Sequence, residues 1–533
     1  MSDFTTGIPD AMKWQIKRLK ILQKETISMT PNRQIDCKPG QTIIVDLPYN
    51  SKVDLASLAW FYDGATAHNG CGAGGTLGPV GYVQSRFFPR NSASVIQKFT
   101  VKINGGIKVD ISDYNFVYNM LHDYTQGADA LKRRQTGGEN SDPSNKLYVT
   151  SNDIIERRGY SIAPFDAAND TMSNLNHNTL ARDKQKYCVR SWLSLFGGNA
   201  STQIVDTQLL GTVTLEIQLA PASMLMLGTP IVAGGVTGAN NTATKTEVGR
   251  AAIGDILARG AGTAQAPEVA DYTLNNLEFR CVRYHMGPEF DIAEANTLQR
   301  GDTYKLWFPN YTVQSGRPVP ANNKATTERF SISTQSLDYV IGTFRLSNYD
   351  TPAQPLNTVF SAVPALEEGL TRATAEEQIS AGLRRVYNQS KYFAHNGDSI
   401  VTTKWRIGNN SFEPQSIDEQ YNSLLHHFNI NQDTLSGIYP GINSIGAFRE
   451  HSYASICSLN FPEKGDIFTV SGLDTEQTPA SVEWVVTSST YTPAGGLIGN
   501  YLLTDATNCL PYLICAYSSH LEIGAGRVIN LIP

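Results

Sequence analysis

The sequence predicts an all-β protein with short helices in its loops, built as two Greek-key antiparallel β-sandwiches in one chain. Three observations predict it. Apolar and polar residues alternate with a period of two through many short stretches. Turn formers are abundant, with 44 glycines and 25 prolines in 533 residues. The second half of the chain replays part of the first. Period-two alternation marks a strand with one buried face. A chain of this length exceeds what one hydrophobic core usually organises, so more than one unit is expected.

Residues 1–33 stand apart from the rest. Lys13, Lys17, Arg18, Lys20 and Lys24 are interleaved there with Met12, Trp14, Ile16, Leu19, Ile21 and Leu22. The pattern reads as a basic amphipathic arm, helical when docked. It lies either on a partner or on its own domain, and Trp14 beside basic residues favours a partner. Strands begin after Gln34. Residues 42–47 form one, ended by Pro48, and residues 53–62 form a second. Residues 64–81 are glycine-rich. They lack the Gly-Lys-Ser/Thr ending of a phosphate cradle and no helix follows, so they read as a surface loop.

The stretch 86–125 organises the first half. Phe99, Val101 and Ile103 alternate with Lys98, Thr100 and Lys102; after Asn104-Gly105-Gly106, Ile107, Val109 and Ile111 alternate with Lys108 and Asp110. This is a hairpin with one buried face. A three-residue loop, with Gly106 left-handed, pairs Ile103 with Ile107, Val101 with Val109 and Phe99 with Ile111. Only that register puts both apolar sets on one face. Val117, Met120 and Leu121 then fall at helical spacing.

Residues 127–152 form a long polar excursion of the kind found on surfaces. A clean strand follows at 213–219, where Val213, Leu215, Ile217 and Leu219 alternate with polar neighbours. Residues 229–270, rich in Gly, Ala and Thr, read as a linker or long loop. Strand patterns resume at 272–282, 304–308, 330–333, 339–346, 482–487 and 511–523. Residues 373–387 are the best isolated helix, and the chain ends in a hairpin-like close at 521–532. The expected units are therefore the arm 1–33, a first sandwich 34–228, the linker 229–270 and a second sandwich 271–533.

The repeat is weak but ordered. Lys404-Trp405-Arg406-Ile407-Gly408-Asn409 resembles Lys98-Phe99-Thr100-Val101-Lys102-Ile103-Asn104-Gly105, and Tyr421-Asn422 follows as Tyr114-Asn115 does. The closing strands of the halves, at Val213 and Tyr512, lie at similar distances beyond. That long period points to duplicated domains rather than a solenoid.

Composition and motifs argue against chemistry. The charged fraction is 17% and the net charge −6, which disfavours wholesale nucleic-acid binding. Seven scattered cysteines with no Cys-x-x-Cys pair suggest a reducing compartment, not a disulfide scaffold or zinc site. There is no apolar run of transmembrane length and no signal-peptide core, so synthesis in a cytoplasm is expected. The catalytic motifs of nucleophile elbows, zinc proteases, P-loops and EF-hands are absent from the sequence. His426 and His427, if on a strand, point to opposite faces and cannot chelate one metal. No catalytic residue, metal or cofactor is expected, although a carboxylate pair that meets only in the fold would escape a sequence reading.

Three stretches carry a family resemblance. They are residues 86–124, with Phe88-Pro89-Arg90 and the Asn104-Gly105 hairpin; residues 192–225, with Leu219-Ala220-Pro221-Ala222; and Trp405-Arg406-Ile407-Gly408 with Phe412-Glu413-Pro414. In order and spacing the chain resembles the double jelly-roll major capsid proteins of icosahedral double-stranded DNA viruses, most of all those of polinton-like viruses and virophages. The resemblance implies two upright jelly rolls per chain and homotrimeric capsomers of pseudo-hexagonal outline that tile the shell. It implies penton and minor capsid or cement proteins as further partners, and a place in the virion capsid after assembly in host cytoplasm or nucleus. It also implies an inner-surface arm that reaches neighbouring capsomers, an internal membrane or the genome. Lys13, Trp14, Lys17, Arg18, Lys20 and Lys24 take that role by position. The rival readings are a jelly-roll carbohydrate-binding spike or fibre protein and a β-sandwich hydrolase.

Overall fold

The structure, a computed structural model, describes residues 21–68, 81–83, 86–89, 91–125, 185–197, 204–227, 231–233, 270–300, 303–319, 325–347, 349–350, 392–393, 395, 400–428, 448, 453–459, 472–476, 480–488, 509–524 and 529–532. The helix expected at 373–387 lies outside these residues, as do the polar excursion and most of the glycine-rich loop.

Eight strands make the framework of the first half: β1 (Ile21–Met29), β2 (Thr42–Asp46), β3 (Lys52–His68), β4 (Ile96–Ile103), β5 (Gly106–Ile111), β6 (Gln185–Val189), β7 (Val213–Leu219) and β8 (Ala270–Met286). Eight more make the second: β9 (Tyr304–Ser315), β10 (Ala325–Ile332), β11 (Leu337–Leu346), β12 (Ile400–Ile407), β13 (Asn410–Ser411), β14 (Ser455–Ser458), β15 (Ala480–Ser488) and β16 (Cys509–Ile523). The first half has sheets ordered β1-β8-β3-β6 and β2-β7-β4-β5. The second has β9-β16-β11-β14 and β10-β15-β12-β13. Counted along the chain, each half puts its first, eighth, third and sixth strands in one sheet and its second, seventh, fourth and fifth in the other. Neighbouring strands in these sheets are all antiparallel.

The alternation seen in the sequence is what builds the cores. Val213, Leu215, Ile217 and Leu219 are buried on β7, and the intervening residues face outward. Trp60 on β3 stacks on Phe279 of β8 with centroids 5.5 Å apart. Phe99 on β4 meets Trp192 at 5.3 Å and Tyr114 at 5.4 Å. Tyr114 opens helix α1 (Tyr114–Thr125), whose Val117, Met120 and Leu121 are buried as their spacing predicts.

The organising hairpin differs from expectation at its tip. Its turn has two residues, Asn104 (φ 50°) and Gly105 (φ 78°), so Ile103 faces Gly106 and Lys102 faces Ile107. A bulge then restores Val101 opposite Val109 and Phe99 opposite Ile111. The tight turn with both residues left-handed suits the twist of the strands, and the extra residue is absorbed in the ladder. Gly105, not Gly106, is therefore the left-handed glycine, and Ile107 is exposed rather than buried.

Two expected boundaries move. Residues 21–29 are a strand, not part of a helical arm, and pair with β8 from Ile21↔Met286 to Met29↔Phe279. Strand β8, assigned by sequence to the second sandwich, lies between β1 and β3 in the first half's sheet. The first half thus runs to Met286, and helix α2 (Pro288–Gln299) follows as the connection. A strand whose partners lie more than 200 residues away carries no local mark of its sheet.

The repeat also becomes exact in topology and inexact in alignment. The turn Gly408-Asn409 between β12 and β13 matches Asn104-Gly105, so Trp405 corresponds to Val101 rather than Phe99. Helix α3 (Ile417–His427) follows, as α1 follows β5, and is held at its start by a Ser416–Glu419 capping box. Val213 and Tyr512 are not equivalent: one is on a seventh strand, the other on an eighth. The expected close at the C-terminus is present, with Ile529–Ile532 antiparallel to the end of β16.

In the second core Trp405 and Trp484 stack at 5.6 Å. Gly342 of β11 lies against them; a β-carbon there would sit 2.7 Å from the Trp484 ring and 2.9 Å from Trp405. Overpacking of this kind costs about 1–3 kcal/mol. Gly342→Ala is expected to lower stability by that amount in urea unfolding, and a change within 0.5 kcal/mol of wild type would show that the tryptophans yield.

Candidate assembly surfaces and the junction between halves

Among the described residues, the geometry that bears on assembly lies in sheet edges and in how the halves are fixed to each other. A sheet edge exposes unpaired backbone groups and needs cover. The β5 edge of the first half packs beside the β9 edge of the second. Lys108 on β5 donates from Nζ to the carbonyl of Ile529 at 3.0 Å, and Ser194 donates to Asn310 Oδ1 at 3.3 Å.

The centre of the junction is a buried arginine. Arg345 is on β11, whose residues 340–345 are buried on both faces. Its guanidinium lies 3.7 Å from the Tyr349 ring centre, 4.2 Å from Phe116, 4.8 Å from Tyr512 and 5.1 Å from Tyr392. Nη2 donates to the Tyr392 carbonyl at 2.7 Å. Nη1 lies 3.7 Å from the Asp113 carboxylate, between β5 and α1 of the first half. Asp113 also accepts from Gln97 Nε2 at 2.8 Å and from the Tyr512 hydroxyl at 2.9 Å. The Tyr392 hydroxyl donates to Gln97 Oε1. Burial pushes the Tyr392 and Tyr512 phenols up, so both stay protonated donors. One charge pair, with its rings and hydrogen bonds, therefore spans the two halves.

His395 sits beside it. Its Nδ1 donates to the Phe393 carbonyl at 3.1 Å, which leaves Nε2 to accept from the Tyr124 hydroxyl of α1 at 3.3 Å. The Phe116 ring lies edge-on at 5.7 Å. Burial, and secondarily Arg345, hold its pKa down to about 4 despite the Phe393 hydrogen bond.

The sequence-assigned arm residues divide. Lys13, Trp14, Lys17, Arg18 and Lys20 lie outside the described residues. Lys24, expected on the same helical arm, is on strand β1, exposed, with Nζ 5.7 Å above the Tyr284 ring. On the opposite face of that strand pair, Glu25 meets Arg283 and His285, whose hydrogen bonds hold its carboxyl below the ordinary range. His426 and His427 are in the last turn of α3, not on a strand. His427 meets Ser458 at 3.1 Å and the Tyr339 ring at 4.6 Å. Among the described residues no three His, Cys, Asp or Glu side chains gather where they could hold a metal ion. No described helix is long and apolar enough to cross a membrane. Cys37, Cys188, Cys281, Cys457 and Cys515 are buried free thiols. Burial raises Cys281 to about 11 and Cys457 to about 12, which keeps them unreactive.

No protein-family model and no curated protein matches the sequence. Solved structures do match. The capsid protein VP54 of PBCV-1, fitted into a reconstruction of the virophage Sputnik, is 11% identical with a TM-score of 0.51, over 97% of this chain and 98% of that one. The Faustovirus major capsid protein is 9% identical with a TM-score of 0.47, over 98% and 96%. The mavirus major capsid protein is 11% identical with a TM-score of 0.43, over 98% and 94%. The VP54 match runs through both halves, and each half has the same eight-strand order. The fold is a double jelly roll. The sequence resemblance to double jelly-roll capsid proteins is thus matched by a likeness of structure. Neither Arg345 nor His395 was singled out from sequence, because a buried charge on a strand reads like any surface charge.

Proposed function

We propose that this chain is the major capsid protein of an icosahedral double-stranded DNA virus of the polinton-like or virophage kind. The observation that carries the reading is the tandem of two jelly rolls with identical strand order, matched along 97% of the chain by a viral capsid protein. Two similar upright units per chain turn three chains into a six-sided block, which tiles a shell where a single jelly roll gives a three-sided one. The junction around Arg345 and Asp113 supports this by fixing one half against the other. The β2, β6, β10 and β14 edges then supply surface for contacts within and between capsomers. Closed rotational symmetry limits the trimer, while other contacts extend the lattice. Penton and cement proteins, and a membrane or genome reached by the N-terminal arm, are its further partners, and the virion capsid is its place.

Light scattering and negative-stain microscopy of the purified chain test this. The expected particle is a trimer of about 175 kDa, from chains of 58.3 kDa, with a hexagonal outline. A monomer at micromolar concentration that fails to assemble across salt and pH would overturn the reading and favour a spike or fibre component.

A further inference from the structure

Equivalent residues of the two jelly rolls have unequal surroundings. In β4 and in β12 one residue bulges out of the pairing with the seventh strand. In β4 it is Gln97, skipped between Ile96↔Leu219 and Lys98↔Gln218; in β12 it is Val401, skipped between Ile400↔Ser488 and Thr402↔Thr487. Both are the second residue of their strand, so the bulge confirms the correspondence set by the hairpin turns. Gln97 points into the junction, where it donates to Asp113 and accepts from the Tyr392 hydroxyl. Val401 is 43% exposed. The helices that follow differ in the same way. Every described side chain of α1 is buried, and the second half supplies part of that cover: Tyr512 and His395 each lie 5.7 Å from the Phe116 ring. Helix α3 buries Gln420 and Leu424 but leaves Asp418, Asn422 and His426 exposed, one stripe at i, i+4, i+8.

We propose that Val401, the β13 edge and the open stripe of α3 are covered by the first jelly roll of a second copy of this chain, which enters with its β1 edge. The junction inside the chain is the template. There the β5 edge and residues 194–196 of the first half pack against β9 of the second, and Ser194 donates to Asn310 of β9. In the second half, β13 stands where β5 stands in the first. In the first half, β1 stands where β9 stands in the second: each is the first strand, pairs with the eighth and ends its sheet. The β1 edge is open to such a partner, since Gln23, Lys24, Thr26 and Ser28 are exposed along it. The contact joins two different surfaces, so every copy offers one of each, and repetition by equal rotations closes a ring in which internal and intermolecular junctions alternate. The two junctions are not held alike. Where the internal one has Gln97 in a polar network, the intermolecular one has an apolar side chain that a partner removes from water. The inference rests on the capsomer reading for the size of the ring and adds which surfaces meet.

Val401→Arg and Asn422→Arg in the full chain test it, each made separately, with Ile292→Arg as a control at another exposed apolar residue. Light scattering over a dilution series gives the assembly state, calorimetry shows whether each variant is folded, and hydrogen exchange reads the β1 amides. Each α3-side variant is expected to weaken self-association by about tenfold or more. The dissociated chains should melt as one folded protein and exchange their β1 amides about fivefold or more faster than the wild-type assembly. Ile292→Arg should match wild type in all three. Asn422→Arg, at an exposed helix position, carries the test if Val401→Arg fails to fold. Trimers of both variants as stable as wild type overturn the proposal and leave the capsid reading standing. Weakened trimers with unchanged β1 exchange also overturn it, because a different surface then covers α3. A wild-type chain that stays monomeric overturns both readings.

Discussion

Arg345→Ala is expected to lower unfolding free energy by about 3–5 kcal/mol, because it leaves the Asp113 carboxylate buried without its cation. The Arg345 side chain is fully enclosed and that of Asp113 is 13% exposed. The substitution also empties the space between four rings, and cation–π contacts away from water contribute on the order of 2 kcal/mol. Arg345→Lys keeps the charge but not the flat guanidinium that stacks between Tyr349 and Phe116, so it should recover only part of the loss. Asp113→Ala should be costly as well, since it strands Gln97 and the Tyr512 hydroxyl along with the arginine. The double variant should cost less than the two single costs together, by about 0.5–3 kcal/mol, because the second change removes a group the first has already orphaned. Calorimetry of the four proteins checks this. The junction account fails if Arg345→Ala stays within 0.5 kcal/mol of wild type, or if the two substitutions add. Because the pair joins the jelly rolls, the same variants should split one unfolding transition into two, and that readout separates a loosened junction from a damaged core.

What the sequence made legible was local. The β4–β5 hairpin, α1 and β7 are each specified within a few residues by alternation, a turn pair or helical spacing. The buried face of β7 was read correctly residue by residue. What it could not show was long-range. Strand β8 has the same alternation whichever sheet it joins, and its place between β1 and β3 is decided by partners near residues 29 and 60. The hairpin tip shows a subtler limit. The apolar pairing argued for a three-residue loop, and the protein reaches the pairs Val101–Val109 and Phe99–Ile111 by another route, a two-residue turn at the tip and a bulge below it. The arm reading failed at residues 21–24 because interleaved basic and apolar residues fit an amphipathic helix and an edge strand alike. The Arg345 cluster had no signature, since its members come from β4, the β5–α1 turn, α1, β11, β16 and two loops.

Acid should weaken this protein above the pH at which its carboxylates titrate. His395 and His427 are both held down to about 4 by burial. In the unfolded chain each would protonate near 6.5, so below that pH the unfolded state binds more protons and is favoured. The stability these neutral imidazoles support is complete above about pH 6.5, declines as pH falls, and is lost at about pH 4. A displacement of this size corresponds to about 3 kcal/mol for each histidine. The surroundings of each give the sign its cause. A proton on His395 Nε2 would face the Tyr124 hydroxyl with a second donor and add a cation beside Arg345; Asp113, across Arg345, is already engaged by three donors or cations. His427 lies against the Tyr339 and Phe428 rings, with the His426 imidazole in the same turn and Ser458 as its polar neighbour. Glu25, Glu278, Glu419 and Glu522 are all held below the ordinary carboxylate range, so their losses come at lower pH. The interval from pH 6.5 to 5 therefore reports the histidines, His520 among them, whose pKa burial and the nearby Lys305 also lower. Urea midpoints measured across it should fall steadily in wild type, while His395→Gln, which can still accept from Tyr124 without taking a proton, should flatten the slope by roughly a third to a half. A His395→Gln profile that superimposes on wild type would exclude His395 as the source. Because His395 touches α1 of one jelly roll from a segment of the other, its protonation loosens the same junction that Arg345 closes, and acid should lower the first of the two transitions in Arg345→Lys more than the second.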